Sequence, residues 1–174
     1  MSLDVYAADE QSDHPVAVGR WATLARAVLE AEGVRGDTEV SLLFVDQATV
    51  ASLNERFLGR EGPTDVLAFP IEDDADRSGR SPDEGGTGPV SIEADTGREI
   101  LLGDVVVCPA VAAVNAVDRG VTFDDEIALL VVHGILHLLG MDHQEDSEAE
   151  RMERREQELL DRFYRVPPLI DPVP

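Results

Sequence analysis

His133-Gly134-Ile135-Leu136-His137-Leu138-Leu139-Gly140-Met141-Asp142-His143 holds three of the four histidines of the chain. The first two are four residues apart, a spacing that sets one imidazole above the other on a helix face. Gly140 falls where that helix must stop, because glycine enters the left-handed conformation at low cost. The turn it allows swings His143 back toward the pair. Three neutral ring nitrogens meeting at one point make a zinc site with an open fourth position, the arrangement of a catalytic metal. The pattern therefore predicts a metal site at the end of a central helix, with His133, His137 and His143 as its ligands and zinc as the expected ion, although imidazole also suits Ni²⁺, Cu²⁺ and Fe²⁺.

Upstream, Thr122 with Asp125 three residues on is a capping-box pattern that starts this helix. Pro109 opens another helix, which Gly120 closes. Val18 to Glu32 has helical spacing, with Trp21, Leu24, Ala25, Val28 and Leu29 on one face. Asp46 is an N-cap for a helix from Ala48 to Phe57 with Val50, Leu53, Asn54 and Phe57 on one side. Ser2–Ala7, Thr38–Val45, Asp65–Phe69 and Ile100–Cys108 read as strands, the last interrupted at Gly103-Asp104, which suggests a bulge. Downstream, Glu145 to Tyr164 is an exposed helix with Met152, Leu159, Leu160 and Phe163 inward. Strands mixed with helices imply an α/β (α+β) fold, a single domain over 1–174 with a small mixed β-sheet packed on helices. The acidic, Gly- and Pro-rich stretch 72–98 reads as a flexible insert, and the proline-rich tail 167–174 as frayed.

Length and composition agree with one soluble domain: 174 residues, 43% hydrophobic and 29% charged. The longest apolar run, Ile127 to Met141, is shorter than the roughly 20 residues a membrane span needs. The N-terminus has neither a basic region nor an apolar stretch of the secretory type. Cys108 is the only cysteine and cannot form an internal disulfide, which agrees with a cytoplasmic location. With 14 basic and 36 acidic residues, the net charge of −22 by itself argues against a nucleic-acid binder.

A single histidine on an apolar helix is most simply a satisfied core residue. Two of them among Leu129, Leu130, Val132, Leu136 and Leu138 would each cost several kcal/mol to bury unpaired, and one shared zinc ion removes that cost. A purely structural zinc would need a fourth protein ligand. No second cysteine exists, and Asp142 is better placed as an acceptor for an imidazole N–H. The spacing is also similar to the metzincin protease frame H-E-x-x-H-x-x-G-x-x-H, whose glutamate is the general base. Here Gly134 stands in that place, so a peptidase lacks its proton-transfer group.

Taken whole, HGILHLLGMDH resembles the H-G-x-L-H-L-x-G-x-D-H signature of the YbeY family, bacterial endoribonucleases also called rRNA maturation factors. Leu53-Asn54 leads into Gly62-Pro63-Thr64-Asp65-Val66-Leu67-Ala68-Phe69-Pro70, similar to that family's L-N…P-T-D-V-L-S-F-P. Leu102-Gly103-Asp104-Val105 is similar to its L-G-D-I. The resemblance spans residues 1–166. It implies a zinc ion held by the three histidines and cleavage of single-stranded RNA. It also implies a role with ribosomal particles in 16S rRNA 3′-end maturation and ribosome quality control.

Two positions depart from the family pattern. Leu58 stands where an arginine is usual, which would leave Arg56 or Arg60 to meet RNA phosphate, and Ala68 replaces a serine. The residues supply no evident general base. Two other readings stay open: a zincin-like metalloprotease, and a non-catalytic ribosome-assembly factor with a structural zinc.

Overall fold

The computed structural model describes residues 3–71, 100–141 and 145–165. The acidic insert and the proline-rich tail lie outside them. Among the described residues, strands β1 (Leu3–Asp9), β2 (Thr38–Phe44), β3 (Val66–Pro70) and β4 (Ile100–Val107) form one sheet in the order β1-β2-β4-β3. β1, β2 and β4 run parallel, and β3 is antiparallel to β4, giving the mixed sheet expected of the sequence. Helix α1 (Val18–Ala31) carries the chain from β1 across to parallel β2. Its five expected inward residues, Trp21, Leu24, Ala25, Val28 and Leu29, are the buried ones.

Thr38, Val40, Leu42 and Phe44 alternate with less buried residues along β2, the period-two pattern of a half-buried strand. They face the main core, which α1 shares with α4 (Phe123–Leu138) and α5 (Asp146–Phe163). A smaller cluster, Val45, Val50, Leu67, Val106 and Cys108, lies between the other sheet face and α2 (Gln47–Leu58). Phe57 departs from the expected pattern on α2. It is 59% exposed and packs edge-on against Phe69, with ring centroids 5.3 Å apart. Helical periodicity fixes which way a residue points but not how far the opposing layer extends, and here the partner is an edge strand.

The interruption expected at Gly103 is a register shift. Glu39 pairs with Leu101 and Val40 with Gly103, so Leu102 is an extra residue in β4. The shift lets Leu102, Val105 and Val107 all join the main core. Gly103 has φ +144°, and a Cβ there would lie 2.3 Å from the Phe69 carbonyl oxygen, so only glycine fits.

Helix α4 lies at the centre, touching β3, β4, α1, α5 and α3 (Pro109–Arg119). Its start is the expected capping box: Thr122 Oγ1 accepts from the Asp125 N–H, and the Asp125 carboxylate accepts from the Thr122 N–H. At its end Gly140 takes φ +99°. The Gly140 N–H donates to His137 O, and the Met141 N–H to Leu136 O, a Schellman closure that satisfies two terminal carbonyls.

Candidate active site

Most of α4 is buried, including Ile127, Ala128, Val131, Val132, Gly134, Ile135 and Leu136. Leu129, His133 and His137, spaced by four, form a half-buried stripe along one edge. The two imidazoles are therefore not enclosed among leucines as the apolar sequence suggested, and their desolvation cost is correspondingly smaller. Their ring centroids are 4.5 Å apart, with the planes at 70°. His143 and Asp142 lie outside the described residues, so only this pair can be placed.

One side-chain contact of His133 decides its chemistry. Its Nδ1 lies 2.8 Å from Glu156 Oε1, a buried carboxylate supplied by α5. A carboxylate accepts and does not donate, so Nδ1 is the donor in this contact, and in the neutral ring the lone pair is then on Nε2. A metal-ligating histidine needs that tautomer, fixed through its second nitrogen. The described imidazoles fit a zinc donor set on this ground.

Glu156 was not singled out in the sequence, although a local signal existed. It occupies the same α5 stripe as Met152, Leu159 and Leu160, an acid among buried apolar residues. Helix α5 is fixed on either side of it. Arg155 Nε donates to Glu32 Oε1 at 2.6 Å, at the end of α1. The Tyr164 hydroxyl donates to Asp125 Oδ1 at 2.8 Å, at the start of α4. Burial, reinforced by that hydrogen bond, pushes the Tyr164 pKa up to about 12.

Beside His133 is a cleft of about 180 Å³ lined by Asp65, Val66, Arg119, Glu126, Leu129, Leu130 and Glu156. Glu126 precedes His133 by two helical turns, so both face the same way. Its carboxylate is buried and accepts from Arg119 Nη1 at 2.6 Å. Burial raises its pKa, opposed by the Arg119 charge. Asn115, one turn before Arg119, donates from Nδ2 to Asp65 Oδ2 at 3.2 Å, while Asp65 Oδ1 accepts from the Val66 N–H. Pro63-Thr64-Asp65 thus provides both a strand entry and, through Asp65, part of the cleft wall.

Gly134 points the other way, into the sheet. A Cβ there would lie 2.5 Å from Val105 Cγ1 and 3.2 Å from Val66 Cγ2. A glutamate in this position would collide with Val105 and Val66. The missing protease base therefore reflects how closely α4 sits on β3 and β4.

The family model described as Endoribonuclease YbeY matches residues 6–164. The chain belongs to the YbeY family. An Endoribonuclease YbeY from Frankia casuarinae is 42% identical over 158 residues, 91% of this chain and 73% of its own. Its counterpart in Salinispora tropica is 44% identical over 147 residues, 83% of either chain. That of Nocardioides sp. is 41% identical over 160 residues, 92% of this chain and 96% of its own. The solution structure of a Thermotoga maritima protein has the same fold, with a TM-score of 0.52 at 24% identity over 94% of this chain and 93% of that one.

Against the YbeY signature, the structure brings His133 and His137 together and places Asp65 and Val66 in the cleft beside His133. Asn54 is a turn staple: it is buried, and its Nδ2 donates to Gly62 O at 3.0 Å. Leu58 is 49% exposed at the end of α2. Arg56 stacks over Phe57, with its guanidinium carbon 5.5 Å from the ring centroid. Neither Arg56 nor Arg60 lines the cleft; among the described residues that do, Arg119 is the one cation. Ala68 packs against the main core from β3, where a serine hydroxyl would add a polar group.

Proposed function

We propose that this chain is a zinc-dependent endoribonuclease that cleaves single-stranded RNA and acts in rRNA processing. The observation that carries this reading is the His133–His137 pair with Glu156 on Nδ1, found in a chain of a family named for RNA cleavage. His133, His137 and His143 would hold one zinc ion. Bound there, zinc supplies a Lewis acid for a phosphoryl oxygen and acidifies water.

The protein's own contribution is orientation. Glu156 holds the His133 ring through Nδ1, and Arg155 and Tyr164 tie α5 to α1 and α4. Leu129 and Leu130 give one wall of the cleft an apolar surface that limits water. RNA with ribosomal particles in the cytoplasm is the proposed substrate setting, with 16S rRNA 3′ ends and defective ribosomes as the targets. Among the described residues no helix is long and apolar enough to cross a membrane. The tight packing of Gly134 on Val105 and Val66 counts against the protease reading, because the position has no room for a glutamate side chain.

The test pairs His133→Ala with His137→Ala on single-stranded RNA and on casein. Wild type is expected to cut RNA alone. Each variant is expected to lose zinc and at least about a hundredfold in RNA cleavage while keeping its fold. Undiminished RNA cleavage by both variants would sink the mechanism.

A further inference from the structure

The cleft beside His133 poses an electrostatic problem for an anionic substrate. Asp65, Glu126 and Glu156 all line it, on a chain of net charge −22. A phosphodiester entering there meets carboxylates first, and like charges at close range repel. Among the described lining residues the opposing charge is Arg119.

Arg119 is built to face the cleft. It closes α3 just before Gly120, and its side chain remains 50% exposed while Glu126, its partner, is only 2% exposed. The contact at 2.6 Å uses Nη1. A guanidinium has five N–H donors in a rigid plane, so one pinned nitrogen aims the remaining edge without consuming it. Asn115, on the same side of α3, ties Asp65 back at 3.2 Å. That contact occupies one of the carboxylates that would repel a phosphate.

We propose that Arg119, anchored on buried Glu126, grips a phosphate of the RNA strand at the mouth of the His133 cleft. This rests on the endoribonuclease reading above and names a residue for its substrate binding. The competing account is that Arg119 only neutralises Glu126. The two differ once the buried charge is removed, because a neutral partner leaves a counterion without purpose but a phosphate contact still in use.

The experiment compares wild type, Glu126→Gln, Arg119→Met with Glu126→Gln, and Arg119→Lys, all zinc-loaded. Cleavage of a single-stranded oligoribonucleotide is followed from about 50 to about 200 mM NaCl. Relative to Glu126→Gln alone, the double variant is expected to raise KM roughly tenfold with kcat within about threefold. The slope of log KM against log salt should fall by roughly 0.7, one phosphate's worth of counterion release from a single strand. Arg119→Lys keeps the ion pair and the fold, and should raise KM roughly threefold because the planar fork is lost. A double variant with the KM and salt slope of Glu126→Gln overturns the inference, as does an Arg119→Lys enzyme with wild-type KM. A wild-type protein that cuts no RNA removes the endoribonuclease reading and this inference together, an outcome distinct from either.

Discussion

The sheet side and the cleft side of α4 are made from one apolar run yet obey opposite constraints. On the sheet side, the space is so tight that Gly134 has no room for a methyl group against Val105. On the cleft side, Leu129, His133 and His137 stay half-buried, and polar partners arrive from other helices. His133 and Gly134 are adjacent in sequence, about 100° apart around the axis. One is defined by what it can bind, the other by what it must not contain. The lesson is that a missing catalytic side chain can record a packing requirement rather than a lost activity.

Gly134→Glu should give the largest effect and the sharpest break. Overpacking against Val105 and Val66 adds to burial of a carboxylate, so the loss should be roughly 3 kcal/mol or more, with little folded protein at 37 °C. A thermal melt checks it. A folded variant that hydrolyses casein would show that the sheet side can reach the cleft after all.

Glu156→Gln probes the other side. The amide leaves the ring in place but weakens the charge-assisted hold on Nδ1, so zinc affinity should drop about 10-fold to 100-fold with little change in melting temperature. Competition with a chromogenic chelator measures it. Unchanged affinity would reduce Glu156 to a packing residue.

Tyr164→Phe is the smallest and tests whether α5 is anchored independently of the cleft. Removing the hydrogen bond to Asp125 should cost about 1 kcal/mol and leave RNA cleavage intact. Its pH dependence has a definite sign. Folded Tyr164 holds its proton up to about 12, while an unfolded tyrosine releases it near 10. Wild-type stability from this group is full below about pH 10 and is lost as pH rises toward about 12. The chain contains no lysine, and among the described groups the buried Cys108 thiol, pushed up by burial, shares the alkaline limb with Tyr164. Denaturant melts at pH 9 and pH 11 should therefore show a smaller difference in the variant.

What the sequence made legible follows the same division. Asp46, Pro109, Gly120 and the Thr122–Asp125 box locate helix ends because capping acts within one turn. Gly103 announced its bulge for the same reason. The two described histidines were legible because their spacing is a property of one helix. Glu156 and Arg119 were not, since each reaches its partner across a gap between helices that no local period encodes. Phe57 shows the converse limit: the correct face of α2 was read, but its exposure depends on where the sheet ends.

The reach of Glu156 across 23 residues to His133 has a consequence for the order in which the site comes into being. Synthesis runs from N- to C-terminus, so α4 with its two imidazoles exists before α5 does. During that interval the His133 ring lacks the carboxylate that selects its tautomer. A chain interrupted between the two helices would carry the histidines but not their orientation.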